Sequence, residues 1–319
     1  MKVFLTYTYI TLFAISLAQQ TPQFTQFTFN KSGYNPAASG SNINAGYEII
    51  SGTRQQWVGF AGAPKTSFFS GSYTFKPERS YKRWHNVGMY VSQDIMGLFS
   101  TTSIHGSYTL HLPVLKQYVL SFGIYAGIQQ FGFNKTAIDK NDPVNIKSSQ
   151  LFLAYPDFIP GMRFKNRKFI VDVSLFHAYK FRRAQGDKQI GNKSLLVPQL
   201  YVSYTRKITL ENQVVIVPSV NLHSGLTSIP SAELNVMAYF AKRVGIGSSI
   251  RNINSLSGIL QLRFAKNITI GLAYDYTLSR LANTAPHTYE IMLGITPLFQ
   301  ELLDGKPKNS IAKCPILDF

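Results

Sequence analysis

Apolar and polar residues alternate with a period of two along nearly the whole chain, and this pattern restricts the fold more than any other feature. In the stretch 268–278, one face carries Ile268, Ile270, Leu272, Tyr274, Tyr276 and Leu278, while the other carries Thr269, Gly271, Ala273, Asp275 and Thr277. Successive side chains of a strand point to opposite faces, so this stretch reads as a strand with one greasy face and one polar or small face. The split recurs in Tyr289, Ile291, Leu293 and Ile295 against Glu290, Met292 and Gly294, and in Phe169, Val171, Val173 and Leu175 against Asp172 and Ser174. Leu120, Phe122, Ile124 and Ile128 likewise oppose Ser121, Gly123 and Gly127. About fourteen such segments, roughly 8 to 16 residues each, run from Asn44 to Thr296 between clusters of Gly, Pro, Asn, Lys or Arg. No segment carries the periodicity of an amphipathic helix. No apolar run reaches the ~18 residues of a membrane-spanning helix, which excludes a helix-bundle membrane protein.

Alternation by itself suits a soluble sandwich as well as a membrane barrel. The start of the chain separates the two. Met1-Lys2 is a short basic head, Val3 to Leu17 is mostly apolar, and Ser16-Leu17-Ala18 fits a cleavage site, so residues 1–18 read as a signal peptide and the mature chain as beginning at Gln19. The polar faces repeatedly present Gly together with Asp172, Arg263, Asp275 and Glu290, which suits a wet barrel interior lined by charge. Aromatic residues near segment ends (Tyr73-Phe75, Trp84, Tyr118, Tyr201, Tyr204, Tyr239-Phe240, Tyr274-Tyr276) fit interfacial girdles. We therefore expect an all-β protein, a transmembrane antiparallel β-barrel of about 14 strands in the outer membrane. A hydrophobic content of 45% excludes disorder, and barrels of this length form one domain. The expected organisation is a signal peptide (1–18), a periplasmic N-terminal segment (19–43), the barrel (44–296) and a periplasmic C-terminal tail (297–319).

Connection lengths orient the barrel. Every second connection is tight, around Pro113 to Lys116, Asn166-Arg167, Lys207 to Leu210, Ala241 to Arg243 and Ala265 to Asn267, while Asn134 to Pro156 and Tyr179 to Lys193 are long. Short turns belong on the periplasmic side, so an even strand count makes both termini periplasmic. These turns are basic, including Arg206, Lys207, Lys242 and Arg243, in a chain of net charge +17. Phosphates of outer-membrane lipid or an acidic periplasmic partner would each be attracted to such a rim; nucleic acid is remote for an exported barrel.

The sequence offers no catalytic constellation: no nucleophile elbow, phosphate loop, H-E-x-x-H or Cys/His metal spacing. No enzyme activity, cofactor or metal is expected. Asp275 is expected either to oppose Arg263 or to lie near Glu290, as an ion pair stiffening the wall rather than as catalytic groups. The single cysteine, Cys314, excludes an internal disulfide.

Several blocks carry a family resemblance. Thr21-Pro-Gln-Phe-Thr-Gln-Phe-Thr-Phe-Asn30, Tyr34-Asn-Pro-Ala37 with Gly40, Arg54-Gln-Gln-Trp-Val-Gly-Phe60 with Gly62-Ala-Pro-Lys-Thr66, Ser92-Gln-Asp94, Tyr155-Pro-Asp-Phe158, Tyr274-Asp-Tyr-Thr-Leu-Ser-Arg-Leu281 and His287-Thr-Tyr-Glu-Ile-Met-Leu293 together resemble the PorP/SprF family of Bacteroidota. Thr21 stands where that family usually has Asp, and Thr288-Tyr289 interrupts its His-Glu adjacency. The resemblance implies an outer-membrane component of the type IX secretion system, needed for export or surface attachment of cargo such as gliding adhesins. Partners would then be the cargo's C-terminal domain and periplasmic secretion or motor components. On this reading the block Arg54 to Thr66, with Trp57, Phe60 and the turn at Pro64, is an external partner-facing element, because exposed aromatics need a reason. A diffusive or substrate-binding outer-membrane channel is the alternative from a different class.

Overall fold

The computed structural model describes residues 23–42, 45–75, 83–114, 118–133, 152–179, 197–210, 214–225, 230–240, 243–264, 267–284 and 287–296. Its strands are β1 (Tyr47–Gln55), β2 (Lys65–Phe75), β3 (Trp84–Met96), β4 (Phe99–Val114), β5 (Tyr118–Phe133), β6 (Phe152–Lys165), β7 (Phe169–Phe176), β8 (Gln199–Arg206), β9 (Ile208–Thr209), β10 (Val214–Gly225), β11 (Ser231–Phe240), β12 (Val244–Arg251), β13 (Ser255–Arg263), β14 (Ile268–Thr277) and β15 (His287–Ile295). β8 and β9 pair one after the other with β10, so they form one stave interrupted at Lys207. That leaves fourteen antiparallel staves, each paired to its sequence neighbour. The first and last close the ring, with Ile49 opposite Ile295 and Gln55 opposite Tyr289. Closure satisfies the edges that an open sheet would leave unpaired, a requirement in lipid.

The alternation in the sequence becomes two faces of one wall. Along β14, Leu272, Tyr274 and Tyr276 are exposed on the outside, while Thr269, Gly271, Ala273, Asp275 and Thr277 are buried on the inside. The outer surface is consequently a band of Phe, Ile, Leu, Val and Tyr, as a bilayer requires. The girdle expectation needs correction: Trp84, Tyr201 and Tyr239 have inward parity and are buried, whereas Tyr73, Phe75, Tyr204 and Phe240 are exposed.

The wall is uneven in height. β4 and β5 have 16 residues each, β7 and β8 only 8. The β6–β7 ladder runs only from Gly161 to Lys165. The carbonyl of Phe158 faces β7 and accepts the Ala178 amide, so Pro156 and Pro160, of the same parity, face that edge without an amide to donate. Missing donors stop the ladder there.

β1 begins and β15 ends at the same rim, which also carries the connections after β2, β4, β6, β9, β11 and β13; we call it the turn rim and the opposite end the loop rim. The loop rim includes tight connections too, at Gly97-Leu98 and 252–254. The expected long connections fall largely on residues 134–151 and 180–196, and the C-terminal tail with Cys314 on 297–319, all outside the described residues. One expectation fails: residues 23–42 do not form a separate periplasmic segment but lie inside the barrel, nearly all of them buried.

Candidate functional site

The chain preceding β1 runs through the lumen from the loop rim to the turn rim. Nothing periodic marks it, and its local structure is short: a turn over Gln26–Asn30, one helical turn Lys31–Tyr34 capped by the Asn30 side chain, and a 3₁₀ turn Pro36–Ala38 whose Ala37 amide donates to the Asn35 side chain. Proline at the first position and Asn before it are favourable starting chemistry for such turns. Its stability comes from the wall around it.

At the loop rim, the Gln23 side chain accepts a hydrogen bond from Ser231, the first residue of β11. Beside it Thr25 is the centre of a charge cluster. Its amide donates to Glu290 at 2.7 Å, and its hydroxyl donates to Asp275 at 2.8 Å while accepting from Arg54 and Arg251, both at 3.2 Å. A hydroxyl has one proton and two lone pairs, so every capacity of this group is used. Arg54 pairs with Asp275 at 2.7 Å and with Glu290, and Arg251 pairs with Glu233 at 3.0 Å. Arg54 and Glu290 are register partners on the first and last staves, so the cluster fastens the closing seam of the barrel to the segment within it.

In the middle, Phe24, Phe27, Phe29 and Tyr34 form one apolar core with Ile50, Phe68, Tyr125, Tyr201 and Met292 of the wall. Lys31 is neutralised by Glu48 at 3.2 Å. Toward the turn rim, Asn35 donates to Asp172 at 2.7 Å, and Arg163 grips the same carboxylate through two nitrogens at 2.7 and 2.8 Å. Arg163 and Lys165 also hold the hydroxyl and carbonyl of Ser41, while Trp84 and His111 hold the carbonyls of Gly40 and Ser39. Paired, bidentate charges of this kind compensate one another where a single buried charge would be costly. A third cluster joins Asp157 to His105 at 3.1 Å and His177 at 3.0 Å.

The glycines of the polar face acquire a different reason from the one the sequence suggested. A Cβ at Gly161 would stand 2.1 Å from the Asn35 side-chain oxygen, and one at Gly123 would stand 2.4 Å from the Ala37 amide. They make room for a packed segment rather than for water.

The lumen candidates sort unevenly. Asp172, Asp275 and Glu290 are buried in the lumen and gathered around the segment. Asp275 does approach Glu290, through Arg54, but Arg263 is not its partner: Asp275 opposes Ser257, and Arg263 lies at the turn rim opposite Thr269. The external block also needs correction. Arg54 is 3% exposed and points into the lumen, and Pro64 is buried, so neither faces a partner. Trp57 is half-buried, with its amide on the Thr288 hydroxyl, and Phe60 is 54% exposed at the loop rim. Arg206 and Arg243 are exposed at the turn rim, Lys207 is half-buried there, and Lys242 falls outside the described residues. Sequence reading missed Thr25, Asn35, Arg163, Glu233 and Arg251; inward parity could have indicated the last three, while Thr25 and Asn35 stand in the family-like blocks, which by themselves do not name a partner in the wall.

The arrangement holds this segment inside the barrel through ion pairs, hydrogen bonds and apolar packing. Among solved structures, the Ralstonia pickettii toluene transporter TbuX aligns over 84% of this chain and 93% of its own at 10% identity, with a TM-score of 0.50. The Acinetobacter baumannii outer membrane protein Omp33 aligns over 79% and 98% at 12% identity, with a TM-score of 0.44. The TbuX likeness is one of barrel fold alone. No curated protein matches the sequence. The motif-bearing residues Tyr34-Asn-Pro-Ala37, Arg54, Asp275 and Glu290 are the ones that anchor the segment in the wall, and a family model matches residues 16–295: the chain belongs to the type IX secretion system membrane protein PorP/SprF family.

Proposed function

We propose that this protein is an outer-membrane component of the type IX secretion system needed for export or surface attachment of particular cargo, such as a gliding adhesin, and that cargo docks at the loop rim beside β1–β4. The family supports the secretion context. One observation supports the docking place. On the outer face of β3–β5, the apolar row Val91, Ile104, Ile128 is followed toward the loop rim by the polar row Gln93, Thr102, Gln130, whose members are register partners. Beyond that polar row Ile95 is exposed on the outer face, and Met96 and Phe99, register partners of inward parity, stand 54 and 60% exposed at the mouth beside it. A polar row marks the end of the lipid-facing band, so the residues beyond it are apolar without lipid to cover them. The connection carrying Val58 and Phe60 lies against the same rim, where Gly97 donates its amide to the Gly62 carbonyl. The segment filling the lumen weighs against a diffusive channel.

Replacing Val58 and Phe60 together by Ser should leave barrel assembly intact and reduce the amount of adhesin displayed on intact cells. Normal display with a normal barrel would reject the docking role.

A further inference from the structure

Charge is segregated in this barrel. Every acidic side chain among the described residues has inward parity: Glu48, Asp94, Asp157, Asp172, Glu233, Asp275 and Glu290. The cations divide differently. Arg54, Arg163, Lys165 and Arg251 turn inward and are used by the lumen clusters. Arg167, Lys168 and Arg206 remain exposed, at neighbouring points of the turn rim.

Those three stand on rigid supports. The Asn166 side chain accepts the amides of Lys168 at 2.7 Å and Phe169 at 2.8 Å, which fixes the turn between β6 and β7. The Lys168 carbonyl accepts the Lys207 amide at 2.7 Å, tying that turn to the break between β8 and β9. Arg206 has outward parity and is the register partner of Phe169. Against them four outward rings form a continuous ladder, with Phe169 level with Arg206 and with Phe164 and Tyr204 a step nearer mid-barrel. Tyr118 stacks on Phe164 at 5.5 Å, Phe164 meets Phe169 at 6.0 Å, and Phe169 stacks on Tyr204 at 6.2 Å.

We infer that this corner of the turn rim, Arg167, Lys168 and Arg206 beside the ladder Tyr118–Phe164–Phe169–Tyr204, is a binding site for the headgroup phosphate of an anionic phospholipid. The inference rests on the outer-membrane reading and not on the cargo reading. Amphipathic rings lie at the level of the ester and glycerol groups of a leaflet, with phosphates just beyond them. Two guanidiniums and an ammonium are the donors that such phosphates take, and guanidinium forks bind them through paired hydrogen bonds. Among the described residues no carboxylate on the outer wall competes for these cations or repels the lipid. An acidic protein would meet the same charges, but the aromatic ladder beside them faces the hydrocarbon side and fits an acyl-bearing ligand.

The test uses the full-length protein purified in a mild detergent, offered equal amounts of phosphatidylglycerol and phosphatidylethanolamine, with retained lipid counted by native mass spectrometry. The triple variant Arg167→Gln, Lys168→Gln, Arg206→Gln should bind phosphatidylglycerol roughly a hundredfold more weakly, since each of the three cations near an anionic surface contributes about 1 kcal/mol. The charge-matched control Lys65→Gln, Arg83→Gln, Arg243→Gln should retain it as the wild type does, and both variants should keep their heat-modifiable barrel. Unchanged retention in the first variant, or equal loss in the control, would overturn the site. So would displacement of the lipid by millimolar inorganic phosphate, which would reduce the corner to a general phosphate site. If the first variant instead keeps its lipid and loses a co-purifying acidic protein, the corner is a protein surface and the lipid assignment is wrong.

Discussion

Thr25 and Arg54 illustrate how single residues of this barrel act as joints. Arg54 serves two carboxylates and one hydroxyl in a site almost closed to water, so its removal leaves Glu290 and Asp275 close together without their main counter-charge. Breaking such a buried pair by deleting one partner typically costs about 3–5 kcal/mol, because an uncompensated charge remains. Arg54→Met should therefore lower markedly the temperature at which the folded barrel loses its compact electrophoretic migration. Adding Glu290→Gln should restore part of the loss, since the surplus charge is then gone. If the single variant melts as the wild type does, the cluster does not hold the seam. At this scale the sequence was partly legible. Inward parity predicted that Asp172, Asp275 and Glu290 face the lumen, but Arg54 was read as external because it stands beside a Gly- and Pro-rich connection; in the structure the strand simply extends one residue past it.

At the scale of elements, the decisive one is the segment 23–42. Its length within the barrel is fixed at both ends, by Gln23 and Thr25 at the loop rim and by Ser39 to Ser41 at the turn rim. This also modifies the expectation that both termini share the turn rim: β15 ends there, but the described chain begins at the other end. A lumen so filled should pass little current. In planar bilayers the wild type should be nearly silent, while deletion of residues 23–42 should give a steady open conductance. Gly161→Val provides a second route to the same outcome, because its side chain would intrude where Asn35 sits. Equal conductance in all three proteins would mean that the segment does not close the pore.

For the molecule as a whole, the outer band of apolar residues, the cationic turn rim and the closed fourteen-stave ring are consistent with one environment, a bilayer with water on both sides. The protein should be recovered in the outer-membrane fraction and should migrate faster unheated than boiled, as closed barrels do. Recovery from the soluble periplasm of wild-type cells would contradict this. Uneven wall height and the proline-blunted edge of β6 belong to this scale as well, since they arise only where a tall stave meets a short one.

The sequence by itself determined the strand period, the count of about fourteen staves and, in the alternating stretches such as 268–278, which face is outward, because side-chain parity is a local property that every strand writes into its own order of residues. It also carried the family, through short blocks that stay recognisable one at a time. Only the tertiary structure decided what fills the lumen and which charges meet. Arg54 finds Asp275 and Glu290 across 221 and 236 residues of chain, and Asn35 finds Asp172 across 137. The segment 23–42 has no periodicity of its own because it packs on all sides at once. A strand facing two environments alternates, whereas a chain enclosed by a wall is shaped by that wall, which does not exist until the ring has closed.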